Sequence, residues 1–343
     1  MKKLVLKQFL CACCLPLALL SSAEAAHHGK NQTKKKAANH QVQAKAKPKK
    51  QLKLAKVTKK SAHRKVALAK AAALEEKPSA GDLAGLSHTP DPLELKSNVA
   101  FVVDQQSSKV LFEKNAEVSL PIASITKLMT SLIVVEAKQN MDEMLEITDE
   151  DIDKEKNTHS RLKIGSRLSR ADLLHIALMS SENRAASALG RNYPGGIRSF
   201  VTAMNSKARQ LGMQDTHYVD SSGLSSQNRA SARDLVRLVN AAYQHPLIRQ
   251  YSTDSKYIVE SGGRPIEYGT SNKLVEHPEW DIGLQKTGYI SEAGRCLVMQ
   301  AIIKGRAIIM VFLDSKGKYS RLGDAGRIKK WLETTPPGSN HAG

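Results

Sequence analysis

The hydrophobic pattern of the chain changes period three times. Residues 99–103 and 110–112 are short β-branched and aromatic runs, separated by the polar stretch Gln105-Gln106-Ser107-Ser108. That pattern predicts two strands joined by a turn. Residues 128–137 are apolar at helical spacing, and 168–189 read as two helical stretches, with Ser169 in Ser-x-x-Asp as the N-cap of the first. Further helices are expected over 199–211 and 231–243. The strand pattern then returns over 283–290, 296–303 and 307–313, with Lys304-Gly305-Arg306 as a hairpin turn, and a last helix is expected over 324–332. Strands at both ends flank a large block of helices. An α+β fold follows, with one antiparallel sheet made from both chain ends and the helices inserted between them.

Charge divides the chain in a second way. The net +19 is concentrated in residues 27–80, where sixteen basic and two acidic residues give +14. Residues 81–343 carry 33 basic and 30 acidic residues and are nearly neutral. The high overall basicity is therefore no sign of a nucleic-acid-binding core, and 4% aromatic residues argue against base-stacking platforms. Residues 1–25 have the pattern of an export signal: Lys2, Lys3 and Lys7, an apolar run too short to span a bilayer, and Ala23-Glu24-Ala25. Residues 26–92 read as a basic, low-complexity, disordered linker, a spacer or a weak tether to an anionic wall or membrane surface. A catalytic domain is expected from residue 93 to 335, followed by a polar tail, 336–343. Three of the four cysteines lie in the export signal. Cys296, among Leu297, Val298 and Met299, is expected to be a small buried residue on a strand.

Three short motifs occur in order: Ser124-Ile125-Thr126-Lys127, Ser181-Glu182-Asn183 and Lys286-Thr287-Gly288. Each is weak alone, since Ser-x-x-Lys recurs at Ser315/Lys318 and Ser-x-Asn at Ser226/Asn228. Ser124 and Lys127 share a helix face, so the amine reaches the hydroxyl. A serine hydroxyl needs a base, and a lysine serves only if burial or a second cation lowers its pKa; Lys286 is a candidate for that cation. Ser181 and Asn183 sit between two helical stretches, where a loop can hold a hydroxyl and an amide in a cleft. Gly288 on a strand would let a substrate backbone approach closely.

The ordered set, with its surroundings, resembles the low-molecular-mass penicillin-binding proteins of the D-Ala-D-Ala carboxypeptidase family (peptidase S11-like), and within them the D-alanyl-D-alanine endopeptidases. The likeness covers about residues 96–335. It is carried by Pro121 to Thr130, Thr158-His159-Ser160-Arg161-Leu162, Leu178 to Ala186, Asp220-Ser221-Ser222-Gly223-Leu224 and Lys286-Thr287-Gly288-Tyr289. It implies a β-lactamase/transpeptidase-like fold and acyl transfer through a serine intermediate. Ser124 would be the nucleophile, Lys127 its base and Ser181 a proton relay. Asn183 would hold the relay and the substrate amide. Lys286, Thr287 and Arg321 would hold the carboxylate on the leaving side, and Lys286 would tune Lys127. The N–H groups of Ser124 and Tyr289 would form the oxyanion hole. Glu182 departs from the glycine of many relatives. No cofactor, metal or nucleic acid is implied. The implied partners are peptidoglycan peptide cross-links, with β-lactam antibiotics as covalent inhibitors.

Only 55 residues follow Gly288 in the sequence. The carboxypeptidase branch usually adds a β-rich domain and an amphipathic anchor helix, and neither fits in that length. The expected activity is therefore periplasmic hydrolysis of D-Ala–meso-diaminopimelate cross-links, with carboxypeptidase trimming of pentapeptides as the alternative. A β-lactamase would need a positioned acid such as Glu143, Glu146, Asp149 or Glu150 to activate water.

Overall fold

The computed structural model describes residues 77–335. The export signal, most of the basic linker and the tail 336–343 lie outside the described residues. Along the chain come β1 (Ser97–Asp104), β2 (Val110–Lys114), β3 (Leu120–Pro121), a tight turn Ala123–Ile125 and α1 (Thr126–Glu136). The insert continues with β4 (Met144–Glu146), β5 (Arg167–Ser169), α2 (Arg170–Met179), α3 (Asn183–Arg191), α4 (Gly196–Gln210), β6 (Arg229–Ala230), α5 (Ala232–Tyr243) and α6 (Pro246–Thr253). After it come β7 (Lys256–Ser261), β8 (Arg264–Gly269), β9 (Asp281–Ile290), β10 (Gly294–Ile303), β11 (Arg306–Ser315) and α7 (Ser320–Thr334). Among the described residues no helix is long and apolar enough to cross a membrane.

The main sheet has the order β2-β1-β11-β10-β9, antiparallel throughout, so strands from both chain ends interleave as the pattern predicts. Every residue of β1 is buried, because both faces of the sheet are covered. Val99, Phe101, Cys296, Val298, Ile309 and Val311 pack towards the helical insert. Ala100, Val102, Leu297, Met299, Met310 and Phe312 pack with Ala325 and Ile328 of α7. Cys296 is buried, and burial pushes its thiol up to about 12, as suits an inert core residue. In the β10–β11 hairpin Lys304 and Gly305 both have positive φ, the geometry of a two-residue turn, so Arg306 already belongs to β11.

Helix starts follow the caps. Ser169 Oγ accepts the Asp172 N–H, and Ser231 Oγ accepts the Asp234 N–H. Asp172 does not complete a reciprocal box; its carboxylate accepts the Tyr257 hydroxyl at 2.6 Å. α1 is buried from Thr126 to Val134, so it is the central helix of the insert rather than an amphipathic surface one.

Two boundaries differ from expectation. α7 begins at Ser320, four residues before the expected Asp324, which puts Arg321 in its first turn. Packed structure also starts ahead of Leu93. Ser79 caps a helical turn at Ala80–Leu83, and its Oγ donates to the buried Asp314 carboxylate at 2.7 Å. The Asp314 side chain is the long-range anchor that local composition could not reveal.

Candidate active site

Ser124 lies in the tight turn before α1, and Ala123 beside it holds φ of 47°. Left-handed backbone at a non-glycine residue costs about 1–3 kcal/mol and marks a site held by its surroundings. Two contacts do the holding. The Asp220–Gly223 turn packs on Ala123 so closely that a Cβ on Gly223, at φ 82°, would lie 2.0 Å from the Ala123 carbonyl oxygen. On the other side a Cβ on Gly288 of β9 would lie 2.8 Å from the Ile122 oxygen and 3.1 Å from the Ser124 nitrogen. The glycine of the third motif is thus required first by the protein's own backbone, whereas the sequence reading assigned it to substrate approach.

Lys127 is fully buried in the first turn of α1. Its Nζ lies 2.9 Å from Ser124 Oγ, 2.7 Å from Asn183 Oδ1 and 2.5 Å from the Ser222 carbonyl oxygen. Two of these three neighbours can only accept. A neutral amine has two N–H groups for them and one lone pair left for the Ser124 hydroxyl. Burial lowers the Lys127 pKa to about 7, against the opposing pull of Asp220, Glu182 and Asp153. Burial, not Lys286, is therefore the cause of the shift. The repulsion registers at the other end: Lys286, itself fully buried, is pushed well below its ordinary value by burial, then by Lys127 and Arg321.

The second motif faces the same space. Ser181 has φ of 64° between α2 and α3, and its Oγ accepts from Lys286 Nζ at 3.0 Å. Lys286 also donates to the Thr287 carbonyl at 2.9 Å, so its amine is committed to Ser181 and its own strand. Thr287 Oγ1 donates to Ser271 Oγ at 2.7 Å. Tyr289 is the exposed residue next on the strand. Arg321 comes to the same end of β9 and β10: burial and Arg295 lower its pKa, opposed by Cys296. Ser124, Lys127 and Asn183 are joined by direct contacts, as are Ser181 and Lys286, and Gly288 packs on the Ser124 turn, with Thr287 and Tyr289 beside it on β9, whereas Arg321 stands in the first turn of α7.

The sequence reading missed the supporting contacts. Asp153 accepts the N–H groups of Glu155, Lys156 and Thr158 and the Thr158 hydroxyl. Thr158 Oγ1, fixed in this way, accepts from Asn183 Nδ2 at 2.9 Å and so orients the amide whose oxygen meets Lys127. Asp220 accepts from Ser222, Gly223 and Ser225 and shapes the turn that presents the Ser222 carbonyl. Thr158 and Asp220 lie in stretches that carried the family resemblance, but nothing local marked their roles. Ser271 carried no signal.

Glu182, the departure from the usual glycine, is the N-cap of α3. It is buried, and its Oε1 accepts the Arg184 N–H at 3.2 Å. Glu182→Ala should lower stability by about 1 kcal/mol, and Glu182→Gln, which keeps a capping oxygen, should retain most of it. Urea denaturation of the two variants checks this.

The decoy motifs separate from the site. Ser315 is buried at the end of β11 while Lys318 is exposed beyond it. Asn228 is a structural residue, donating to Thr126 Oγ1 and the Asp220 carbonyl and accepting from Val219 and Asp220.

This sheet with its helical insert, and a serine paired with a buried lysine, define the class: a serine hydrolase of the β-lactamase/transpeptidase-like fold. A penicillin-binding protein of Listeria monocytogenes in its cefotaxime-bound form has the same fold, with a TM-score of 0.63 and 28% identity over 70% of this chain and 98% of that one. The family model for D-alanyl-D-alanine carboxypeptidase matches residues 86–317, and the chain belongs to that family, peptidase S11. It is 46% identical over 243 residues to a D-alanyl-D-alanine endopeptidase of Pseudomonas aeruginosa, covering 70% of this chain and 78% of that one. It is 41% identical to the Escherichia coli protein of the same description, with the same coverage.

Proposed function

We propose that the protein is a serine-type D-alanyl-D-alanine endopeptidase. It hydrolyses D-Ala–meso-diaminopimelate cross-links of peptidoglycan in the periplasm, after removal of the N-terminal export signal. The observation that carries the chemistry is the Lys127 environment, in which two obligate acceptors leave the amine lone pair for Ser124. The choice of endopeptidase is supported by the relatives so described.

In this reading neutral Lys127 takes the Ser124 proton as Oγ attacks the D-Ala carbonyl. The Ser124 and Tyr289 N–H groups stabilise the oxyanion, each donor being worth roughly 3–4 kcal/mol. Ser181, polarised by Lys286, passes the proton to the leaving amine. Asn183 holds Lys127 and the substrate amide. Thr287 and Arg321 receive the carboxylate on the diaminopimelate centre, which mimics a C-terminal D-Ala carboxylate. Water then attacks the acyl-enzyme by the reverse path. A β-lactam enters by the same first step and stays bound as the acyl-enzyme.

Digestion of defined cross-linked dimers and of uncross-linked pentapeptides, read by mass spectrometry, tests the assignment. Cleavage of the cross-link at least about tenfold faster than release of terminal D-Ala is expected, a margin of about 1.4 kcal/mol in transition-state binding. The opposite ratio makes the protein a carboxypeptidase.

A further inference from the structure

The path from Lys127 through Asn183 and Thr158 continues to the far side of the site. Two residues before Thr158, Lys156 Nζ donates to Glu292 Oε1 at 2.6 Å. Glu292 sits in the turn between β9 and β10, three residues beyond Tyr289. The segment that carries Lys156 and Thr158 therefore has one footing on Asn183, at the start of α3, and the other at the end of β9. The Ser124 turn touches both sides, since Lys127 meets Asn183 and Gly288 of β9 packs against the Ser124 nitrogen.

Residues 152–166 contain no helix or strand. Among the described residues, two hydrogen-bonded contacts tie segment 153–159 to the rest of the protein: the Lys156–Glu292 pair and the Asn183–Thr158 bond. Asn157 lies between the two tied residues with φ of 53°, a left-handed backbone that lets the side chains on either side of it reach opposite walls. Glu292 is itself fixed from behind. Its carbonyl oxygen accepts the Ala80 N–H at 2.9 Å, and a Cβ on Gly294, two residues on, would lie 2.2 Å from Asp314 Oδ1. Lys156 holds the Glu292 carboxyl below its usual value, so the pair is charged at neutral pH. It is partly exposed, and such pairs add little to stability. Its consequence is for position, because the segment has one other hydrogen-bonded footing and that footing is a residue of the site.

We propose that Glu292 is a positioning residue of the reaction: by holding Lys156 it fixes where Thr158 stands, and Thr158 in turn fixes the Asn183 amide whose oxygen meets Lys127. When the tie is cut, Asn183 loses its fixed partner and Lys127 loses one of the two acceptors that leave its lone pair to Ser124. The inference rests on the acyl-serine reading and holds whether the leaving group is a stem peptide or D-Ala.

The test measures the second-order constant for acylation of the full-length protein by labelled penicillin, together with the fraction labelled at the end of the reaction. Glu292→Gln and Lys156→Met should each slow acylation by about tenfold or more while still labelling to completion. The double variant should be slowed no further than the slower single one, because both changes cut one contact. Lys156→Arg, which keeps the ion pair, should stay within about threefold of the wild type. Unaltered rates in both single variants overturn the proposal, and so do losses that multiply in the double variant. A variant that labels only in part, its labelled fraction reacting at the wild-type rate, shows a pair that merely holds the fold, which overturns the proposal as well. A wild type that takes no label overturns the acyl-serine reading, and the proposal with it.

Discussion

Ser124→Ala removes covalent labelling by penicillin and lowers peptide hydrolysis at least about 10⁴-fold, because it deletes the hydroxyl that lies 2.9 Å from the Lys127 amine. The fold survives the change. Ser124 is only partly buried, and Lys127 keeps its contacts to Asn183 and Ser222, so no buried nitrogen is stranded. The expected stability change is within about 1 kcal/mol. Intact-mass spectrometry after incubation with penicillin checks the first part and a thermal melt the second. A wild-type chain should gain one adduct and the variant none. An adduct mapped to Ser315 in the variant would make the decoy Ser-x-x-Lys the real site. The structure argues against that, since Ser315 is 2% exposed within the sheet, paired with both Ser97 and Arg295.

The sheet was legible because β11 carries an unbroken apolar run from Ala307 to Leu313 and β10 one from Cys296 to Ile303 interrupted only by Gln300, the pattern of strands with both faces covered. The nucleophile and its base were legible because three residues of helix bring Ser124 to Lys127. What escaped was set by contacts distant in sequence. Asp314 holds Ser79, 235 residues away, and so fixes where packed chain begins. Thr158 orients Asn183 through a loop whose only local sign is a cluster of polar residues. Gly288 looked like room for a ligand because the sequence gives no hint that Ile122 and Ser124 press against it. The cause of the Lys127 shift could be narrowed only to burial or a second cation. A second lysine is visible in a motif, but burial is a property of everything packed around a residue, and it decides here.

The acylation rate should rise with pH through about 7 and then level off, because burial sets the Lys127 pKa there and only the neutral amine can take the serine proton. A lysine with its ordinary value would leave the rate climbing to about pH 10.4. The second-order constant for acylation by labelled penicillin, followed from about pH 5 to pH 10, distinguishes the two. The sign of each perturbation follows from the same neighbours. Glu182 favours the protonated amine, so Glu182→Gln should move the rising limb to lower pH while leaving its plateau within about threefold. Lys127→Arg should lower the plateau by about 10²–10⁴-fold and erase the limb, since a guanidinium stays protonated throughout. A limb that stays near pH 7 in Lys127→Arg would assign the titration to another group. Lys286 is then the group to examine, since it too is buried and lies against Ser181. Lysine is used here because desolvation can bring its pKa within reach of neutral pH, and the two oxygens of Asn183 and Ser222 hold the neutral amine with its lone pair towards Ser124.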